Sequence, residues 1–348
     1  MAGAFDRVDS LAYNRVARLN SNGVPDLIFN NNSGLNAAVN TMTTQPDGRV
    51  LLGGAFSLPT RGISRLQVNG AVDNSFNPGL GADGAIHALQ VQPDGSVLLG
   101  GAFSRVAGEL HSRIARVDAS GLLDTAFGTG AIVDGSVFCV GLQADGRLVV
   151  GGDFTTAAGT NRVRLARLNT DGSLDATFNV GSGANATVYA LGLQSDGRVI
   201  IGGDFTIVAG VSRNRFARLN TDGSVDGSFD PGRGANNTVY SIVVLANDNI
   251  LLGGDFNQVG GVARNGVARV LGGAVAPAVF ARFAAAGGQF HLTLNVQPGR
   301  TYVLEVSDDL EDWSSVTTHT ALTQVWQFTD TAMAGSSAKF YRVREAAP

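Results

Sequence analysis

A repeat of 51 residues runs through most of this chain and limits the folds open to it. The motif Gly-Gly-(Ala/Asp)-Phe ends at Phe56, Phe103, Phe154, Phe205 and Phe256, and a truncated copy ends at Phe5. A second motif, Ala-Arg-Leu or a close variant, supplies Arg18, Arg65, Arg116, Arg167, Arg218 and Arg269. One interval in each set is 47 residues, which places a four-residue deletion between Phe56 and Arg65. Self-similarity at a fixed period is the sequence signature of a repeat architecture.

Each unit is predicted to contain four strands joined as two hairpins. In the unit around Phe205 the strands are predicted at 188–193, 199–205, 216–219 and 224–229. Three-residue loops ending in glycine join them, and these fit a type I turn closed by a left-handed residue. Four antiparallel strands in a unit of this length match a propeller blade, and no helical period separates them. The sequence therefore predicts an all-β fold, a β-propeller of six blades, or of five if the two incomplete terminal units complete one blade together.

These units resemble the bacterial delta-60 repeats, a propeller-forming family of unknown function. The resemblance covers about residues 2–271 and rests on four motifs of this sequence. They are Gln-Pro-Asp-Gly-Arg, Gly-Gly-Asp-Phe, Arg-Asn-Arg-Phe-Ala-Arg-Leu-Asn and Asp-Gly-Ser-Leu-Asp-x-x-Phe. The resemblance implies a propeller and brings no agreed activity with it.

An arginine and an aspartate lie eight residues apart in five of the units. The Thr-Asp-Gly loop places Asn169 opposite Ser173, and hence Arg167 directly opposite Asp175. Opposite charges across a hairpin stabilise it by about 0.2–1 kcal/mol, and the loss of one partner costs more where neighbouring blades bury the pair. We therefore predict structural cross-strand pairs of Arg18 with Asp26, Arg65 with Asp73, Arg116 with Asp124, Arg167 with Asp175 and Arg218 with Asp226.

The connection after Gly-Gly-(Ala/Asp)-Phe varies most between units, and variable surface loops commonly carry binding residues. Four arginines of these loops are predicted to occupy equivalent places and to form a ring of positive charge. They are Arg113, Arg162, Arg213 and Arg264. Such a ring could bind carboxylated glycans or acidic peptides. The alternative is that each arginine pairs with an aspartate of a neighbouring unit.

Composition and charge exclude several classes of function. The net charge of −4 offers no basic surface for DNA or RNA, and no apolar stretch is long enough to insert into a membrane. The single cysteine, Cys139, excludes an intrachain disulfide framework. The first residues lie within a repeat and lack the pattern of a signal peptide, so we expect any export signal to lie upstream of this chain.

Motifs that carry catalytic or metal chemistry in other proteins have simpler explanations here. Gly-Gly-Asp-Phe also marks cyclases that make cyclic dinucleotides, but here it recurs, with Ala55 and Ala102 replacing the aspartate in two units. The glycine-rich segment 79–84 precedes an alternating strand rather than the helix that a dinucleotide site needs. A calcium loop at 169–175 would have Arg167 at its first ligand position, and the four histidines show no ligand spacing. We predict no catalytic residue, no metal site and no cofactor.

The repeat ends before residues 274–278, which are predicted to link a propeller domain at 1–273 to a small β-sandwich at 279–348. Alternating runs at 290–294 and 301–306 predict strands of an immunoglobulin- or fibronectin-like sandwich. Segments 299–305 and 308–313 resemble a C-terminal module of secreted bacterial repeat proteins, which implies a location at the cell surface or outside the cell. Core packing is the predicted role of Trp313 and Trp326, with stacking on sugar as the alternative.

The sequence therefore favours a non-catalytic extracellular or cell-surface scaffold that binds a protein or glycan. One alternative is a glycan-processing lyase or hydrolase with a site built from propeller loops, which clustered acidic and tyrosine side chains would favour. The other alternative is a structural surface protein that associates with itself.

Overall fold

The computed structural model describes residues 1–29, 33–128, 130–131, 133–229, 231–272, 279–286, 289–296, 301–323, 325–331 and 339–346. All regular elements in these ranges are β-strands, which confirms the predicted all-β class. None of the described residues belongs to a helix that could cross a membrane. The chain divides into two compact parts, a repeat region (Met1–Val270) and a C-terminal region (Leu271–Pro348).

Six units follow one another in the repeat region, numbered here by their Gly-Gly-(Ala/Asp)-Phe motif from unit 1 (Phe5) to unit 6 (Phe256). Units 1 and 2 contain β1 (Arg7–Val8), β2 (Leu11–Ala12), β3 (Val39–Thr44), β4 (Val50–Gly54) and β5 (Ile63–Leu66). Unit 3 contains β6 (Ile86–Val91), β7 (Val97–Gly101), β8 (Arg105–Val106), β9 (Glu109–Ser112) and β10 (Ile114–Val117), and β11 (Gly130–Ala131) follows it. Unit 4 contains β12 (Val137–Leu142), β13 (Leu148–Gly152), β14 (Thr156–Ala157), β15 (Thr160–Asn161) and β16 (Leu165–Leu168).

Units 5 and 6 repeat the same order of strands. Unit 5 contains β17 (Val188–Leu193), β18 (Val199–Gly203), β19 (Ile207–Val208), β20 (Val211–Ser212) and β21 (Phe216–Leu219). Unit 6 contains β22 (Val239–Val244), β23 (Ile250–Gly254), β24 (Gln258–Val259), β25 (Val262–Ala263) and β26 (Val267–Val270). In units 2 to 6 the second long strand lies between the first and the third in an antiparallel sheet, as β18 lies between β17 and β21.

Two details differ from the predicted four-stranded unit. The fourth strand is reduced to a single bridge, such as Leu219 to Val225, because Asp226 turns the chain by accepting the amide of Ser228. The variable connection, predicted as a loop, contains a hairpin with two paired residues per strand in units 1, 3, 4, 5 and 6, as β19 and β20 show. Each of units 3 to 6 is therefore a three-stranded sheet with a small hairpin, whereas unit 2, where the connection is four residues shorter, has the sheet alone among its described strands.

The apolar core lies between consecutive sheets. Val149 and Leu165 of unit 4 pack with Val199, Ile201 and Leu219 of unit 5, and each is at most 1% exposed. The same arrangement joins the other neighbouring units through separate clusters. Each fully buried side chain of this kind stabilises the fold by about 1.5–3 kcal/mol. The stability of the repeat region therefore comes from contacts between units, as expected for a repeat protein.

The described residues of the C-terminal region form six strands in two sheets. They are β27 (Val279–Ala286), β28 (Gln289–Asn295), β29 (Thr301–Ser307), β30 (Ser314–Thr320), β31 (Val325–Asp330) and β32 (Phe340–Glu345). β28 lies between β27 and β31, and β29 lies between β30 and β32. Leu294, Tyr302, Leu304 and Trp326 belong to one core formed by residues of both sheets. The predicted linker at 274–278 lies outside the described residues, and the immunoglobulin- or fibronectin-like assignment stays a prediction.

Candidate functional site

The five predicted arginine–aspartate pairs are all in contact in the structure. In units 2 to 5 the arginine lies on the third strand of its sheet. In all five units the turn that follows brings the aspartate back beside the arginine, as the bond from the Asp175 amide to the Arg167 carbonyl shows. In every pair the arginine Nε donates to the aspartate Oδ2 at 2.7 or 2.8 Å. The pairs are Arg18–Asp26, Arg65–Asp73, Arg116–Asp124, Arg167–Asp175 and Arg218–Asp226.

The pairing alone did not predict two further kinds of contact: all five arginines lie over a phenylalanine ring, and four of them donate Nη1 to a carbonyl of the next unit. Arg167 Nη1 donates to the Thr221 carbonyl of the next unit at 2.6 Å, and its guanidinium lies 4.9 Å from the centre of the Phe178 ring. We call Arg167, Asp175, Phe178 and the Thr221 carbonyl, with their counterparts in other units, the arginine clip. A planar guanidinium with five fixed donors can make these contacts together, whereas a lysine ammonium cannot. The clip therefore joins each of units 1 to 4 to the unit that follows it.

Burial of the clip differs between units. Arg65, Arg167 and Arg218 are 5%, 5% and 1% exposed. By contrast, the side chain of Arg18 is 40% exposed and that of Arg116 is 22% exposed. A buried ion pair that loses one partner is strongly destabilised, whereas an exposed pair contributes little. The exposed clips of Arg18 and Arg116 can therefore serve as controls for the buried clips of Arg65, Arg167 and Arg218.

Acid is expected to destabilise the protein through Asp175. Burial alone would raise the pKa of Asp175, but the Thr177 hydroxyl and amide and the Arg167 guanidinium together lower that pKa to about 2. The folded pKa lies below the unfolded value of about 3.9, so this contribution is present above pH ~4 and is lost as pH falls toward 2. The free energy of unfolding, measured as the pH falls from about 4 toward 2, should decrease less for Asp175→Asn than for the wild type. An identical loss in both proteins would contradict this assignment.

The loop arginines do not share one position. Arg113 immediately precedes the third strand of its sheet, and Arg164 and Arg215 do the same in units 4 and 5, with φ of 69°, 66° and 70°. The prediction that Arg113 is equivalent to Arg162 is therefore wrong. The connections of units 3 and 4 have the same length, since Phe103 lies 13 residues before Arg116 and Phe154 lies 13 residues before Arg167. The counterpart of Arg162 in unit 3 is therefore His111, 51 residues earlier.

The other three loop arginines bond to their own backbone. Arg162, Arg213 and Arg264 each donate Nη1 to the carbonyl of the preceding residue, at 3.0, 2.9 and 2.8 Å. No ion pair with an aspartate of a neighbouring unit is found for them among the described residues. These arginines therefore stay candidate ligand contacts, each directly after the second strand of a separate small hairpin.

A row of aromatic rings crosses four units and was not predicted. His87, Phe138, Tyr189 and Tyr240 lie at equivalent positions of β6, β12, β17 and β22, and we call them the aromatic row. Successive ring centres are 4.9, 5.3 and 5.3 Å apart, with the planes tilted by 41° to 59°. Asn40 of unit 2 extends the row, since its amide lies 3.3 Å from His87 Nδ1. Tyr240 is 50% exposed at the other end.

An irregularity in each sheet brings these rings together. In every complete unit the pairing of the first two strands shifts at this position, as it does between Val188 and Ala190. The extra residue of such a bulge is left out of the ladder, and its side chain is re-aimed. Tyr189 and its counterparts are these extra residues. The feature of the sequence that could have predicted the aromatic row is the ring-bearing residue that recurs every 51 residues in the first strand of units 3 to 6.

Carboxylates of the Gly-Gly-Asp-Phe motif flank the aromatic row. Asp153, Asp204 and Asp255 are exposed at equivalent positions. Asp204 accepts a bond from the Thr238 hydroxyl of the next unit at 2.9 Å and pairs with Arg215. Burial lowers the pKa of His87, and the charge of Asp153 opposes this. Burial and the charge of Asp255 raise the pKa of Tyr240. The row thus combines apolar ring faces with hydrogen-bond acceptors, the combination found in ligand sites.

The described residues contain no group of three histidine, cysteine, aspartate or glutamate side chains placed to hold a metal ion. His291 Nδ1 lies 2.9 Å from the Thr329 hydroxyl, and His319 stacks on Trp326 at 4.8 Å. Trp326 is 6% exposed, whereas Trp313 is half-buried under the guanidinium of Arg342.

Six repeated β units fastened by arginine clips define a β-propeller repeat protein. The chain belongs to the DUF5122 β-propeller family, a domain of unknown function, whose model matches residues 1–29, 45–76, 92–127, 143–178, 194–229 and 245–271. The predicted repeat family is thereby confirmed at the level of a propeller-forming domain of unknown function. The curated proteins include no match to this chain.

The solved structures that match this chain include glycoside hydrolases. One, described as a glycoside hydrolase, is 12% identical, with 88% of this chain and 94% of that chain covered and a TM-score of 0.31. Another is a xylan β-1,4-xylosidase from Bacillus halodurans C-125, 11% identical, with coverage of 78% and 73% and a TM-score of 0.27. At these scores the likeness gives no indication of activity.

Proposed function

We propose that this protein is a non-catalytic extracellular or cell-surface scaffold that binds a glycan chain along the aromatic row. The observation that carries the proposal is the continuous line of four rings from His87 to Tyr240, flanked by carboxylates. An extended ligand would meet one ring and one set of polar groups per unit, so the repeat itself matches a repeating polymer.

The chemistry of the row supports a glycan as the ligand. Aromatic side chains offer a flat apolar face, and tyrosine adds a polar tip that can remain solvated. Asn40 at one end and Asp255 near the other supply acceptors and donors for hydroxyl groups. Arg162, Arg213 and Arg264 are candidate further contacts if the glycan carries carboxylates.

A glycan array with the folded chain tests this function. The wild type is expected to retain a polymeric glycan, and Tyr240→Ala is expected to weaken that binding about tenfold, since stacking contacts contribute about 0.5–1.5 kcal/mol. Tyr240→Phe keeps the ring and should bind within about threefold of the wild type. Tyr240 is 50% exposed and loses only its contact with the Tyr189 ring, so its removal should lower the melting temperature only slightly.

Three outcomes would count against the proposal. Retention of no glycan would exclude the ligand class, and undiminished binding by Tyr240→Ala would exclude the aromatic row as the site. Release of shorter sugars from a bound glycan would favour the enzymatic alternative, for which the pairing of Tyr240 with Asp255 is the supporting feature.

A further inference from the structure

The sheet of unit 6 leaves exposed a face that every preceding sheet buries. In units 2 to 5 the first residue of the third strand packs against the following unit and is at most 1% exposed. These residues are Ile63, Ile114, Leu165 and Phe216. Val267 occupies the same position in unit 6 and is 65% exposed. Val243 on β22 is 54% exposed. We call Val243, Leu251 and Val267 the tail face.

Unit 1 leaves the complementary face exposed. In units 2 to 5 the last residue of the third strand packs against the preceding unit and is completely buried. These residues are Leu66, Val117, Leu168 and Leu219. Leu19 stands at the same position in unit 1 and is 39% exposed, and Met1 beside it is 49% exposed. We call Met1 and Leu19 the head face. In the internal interfaces a tail-type face always packs against a head-type face.

The hydrogen-bonding groups of the interface between units, an arginine donor and a turn carbonyl, also have exposed counterparts in units 6 and 1. Within the repeat region the clip arginines Arg18, Arg65, Arg116 and Arg167 donate Nη1 to a turn carbonyl of the next unit, at 2.6–3.0 Å. Arg269 is the counterpart in unit 6 and is exposed. Ser21, in unit 1, occupies the position of the accepting residues Val68, Ala119, Thr170 and Thr221, and it is exposed.

We propose that the tail face of one chain docks on the head face of a second copy of this chain. The contact continues the interface already used between units 1 to 6, with Val267 against Leu19 and Arg269 donating to the carbonyl of Ser21. Val267 and Leu19 are both exposed, so the described residues of the repeat region leave an apolar side chain uncovered at each end. Such a head-to-tail contact is heterologous, and it produces rings or open chains of subunits. This inference is independent of the proposed glycan site, since the tail and head faces contain no residue of the aromatic row.

Analytical ultracentrifugation over a range of concentrations tests the proposal. The wild type is expected to sediment as species larger than the 35.8 kDa chain, with the mass increasing with concentration. Val267→Glu and Leu19→Glu should each reduce the species to the monomer, because a charge would be buried against an apolar face. Leu80→Glu is the matched control, since Leu80 is 71% exposed and belongs to neither face.

A mixture of the two variants separates this contact from any other mode of association. The Val267→Glu chain retains its head face and the Leu19→Glu chain retains its tail face, so a 1:1 mixture is expected to form heterodimers and nothing larger. Circular dichroism checks that each variant is folded. A wild type that stays monomeric, variants that associate like the wild type, or a mixture that stays monomeric would each overturn the proposal.

Discussion

Replacing Arg218 with alanine is expected to lower the free energy of unfolding by about 3–5 kcal/mol. The residue is 1% exposed, and its Nε donates to Asp226 at 2.8 Å. Without the guanidinium, Asp226 would be a buried carboxylate, with Arg198 Nε at 3.4 Å as a more distant cation. The variant also loses the contact with the Phe229 ring, 4.7 Å away. Denaturant unfolding followed by circular dichroism measures the change.

The matched control is the same substitution in an exposed clip. Arg18 makes the same bond to Asp26 and lies 5.0 Å from the Phe29 ring, but its side chain is 40% exposed. Arg18→Ala is expected to cost at most about 1 kcal/mol, the usual value for a solvated pair. Equal losses in the two variants would mean that burial of the charge is not the cause.

The arginine–aspartate part of the clip could be predicted from the sequence because it depends only on local geometry. A three-residue turn fixes which residues face each other, so a spacing of eight places Arg167 opposite Asp175. The remaining contacts depend on the neighbouring unit. Neither the bond from Arg167 to the Thr221 carbonyl nor the differences in burial between Arg18 and Arg218 can be read from spacing within one unit.

The aromatic row could not be predicted for a related reason. The alternation of a strand would place Tyr189 on one face and its neighbours on the other, but a shift of pairing between Val188 and Ala190 redirects the ring. The equivalence of the loop arginines failed for a different reason, because it matched Arg113 with Arg162 by residue type and not by position. The 51-residue period aligns Arg113 with Arg164, and the positive φ that both adopt before the third strand agrees with that alignment.

Replacing Gly203 with alanine is expected to cost about 3 kcal/mol or more in the free energy of unfolding. A Cβ at this position would overlap the carbonyl oxygen of Thr187 and lie 3.0 Å from Val188 Cα. Both neighbours are backbone atoms at the start of β17, and the Thr187 carbonyl accepts the amide of Asp204 at 2.9 Å. They can move away only if β17 separates from β18, which would disturb Val188 in the core.

Gly227→Ala provides the matched control for the glycine. A Cβ there meets no atom within 4 Å, its φ is not positive, and the corresponding residue of unit 4 is Ala176. This variant is expected to unfold within about 0.5 kcal/mol of the wild type. The difference between the two melting curves therefore isolates the steric requirement of the second glycine in Gly-Gly-Asp-Phe. A Gly203→Ala variant as stable as Gly227→Ala would show that the recurrent glycine pair is kept for some other reason than the close approach of β17.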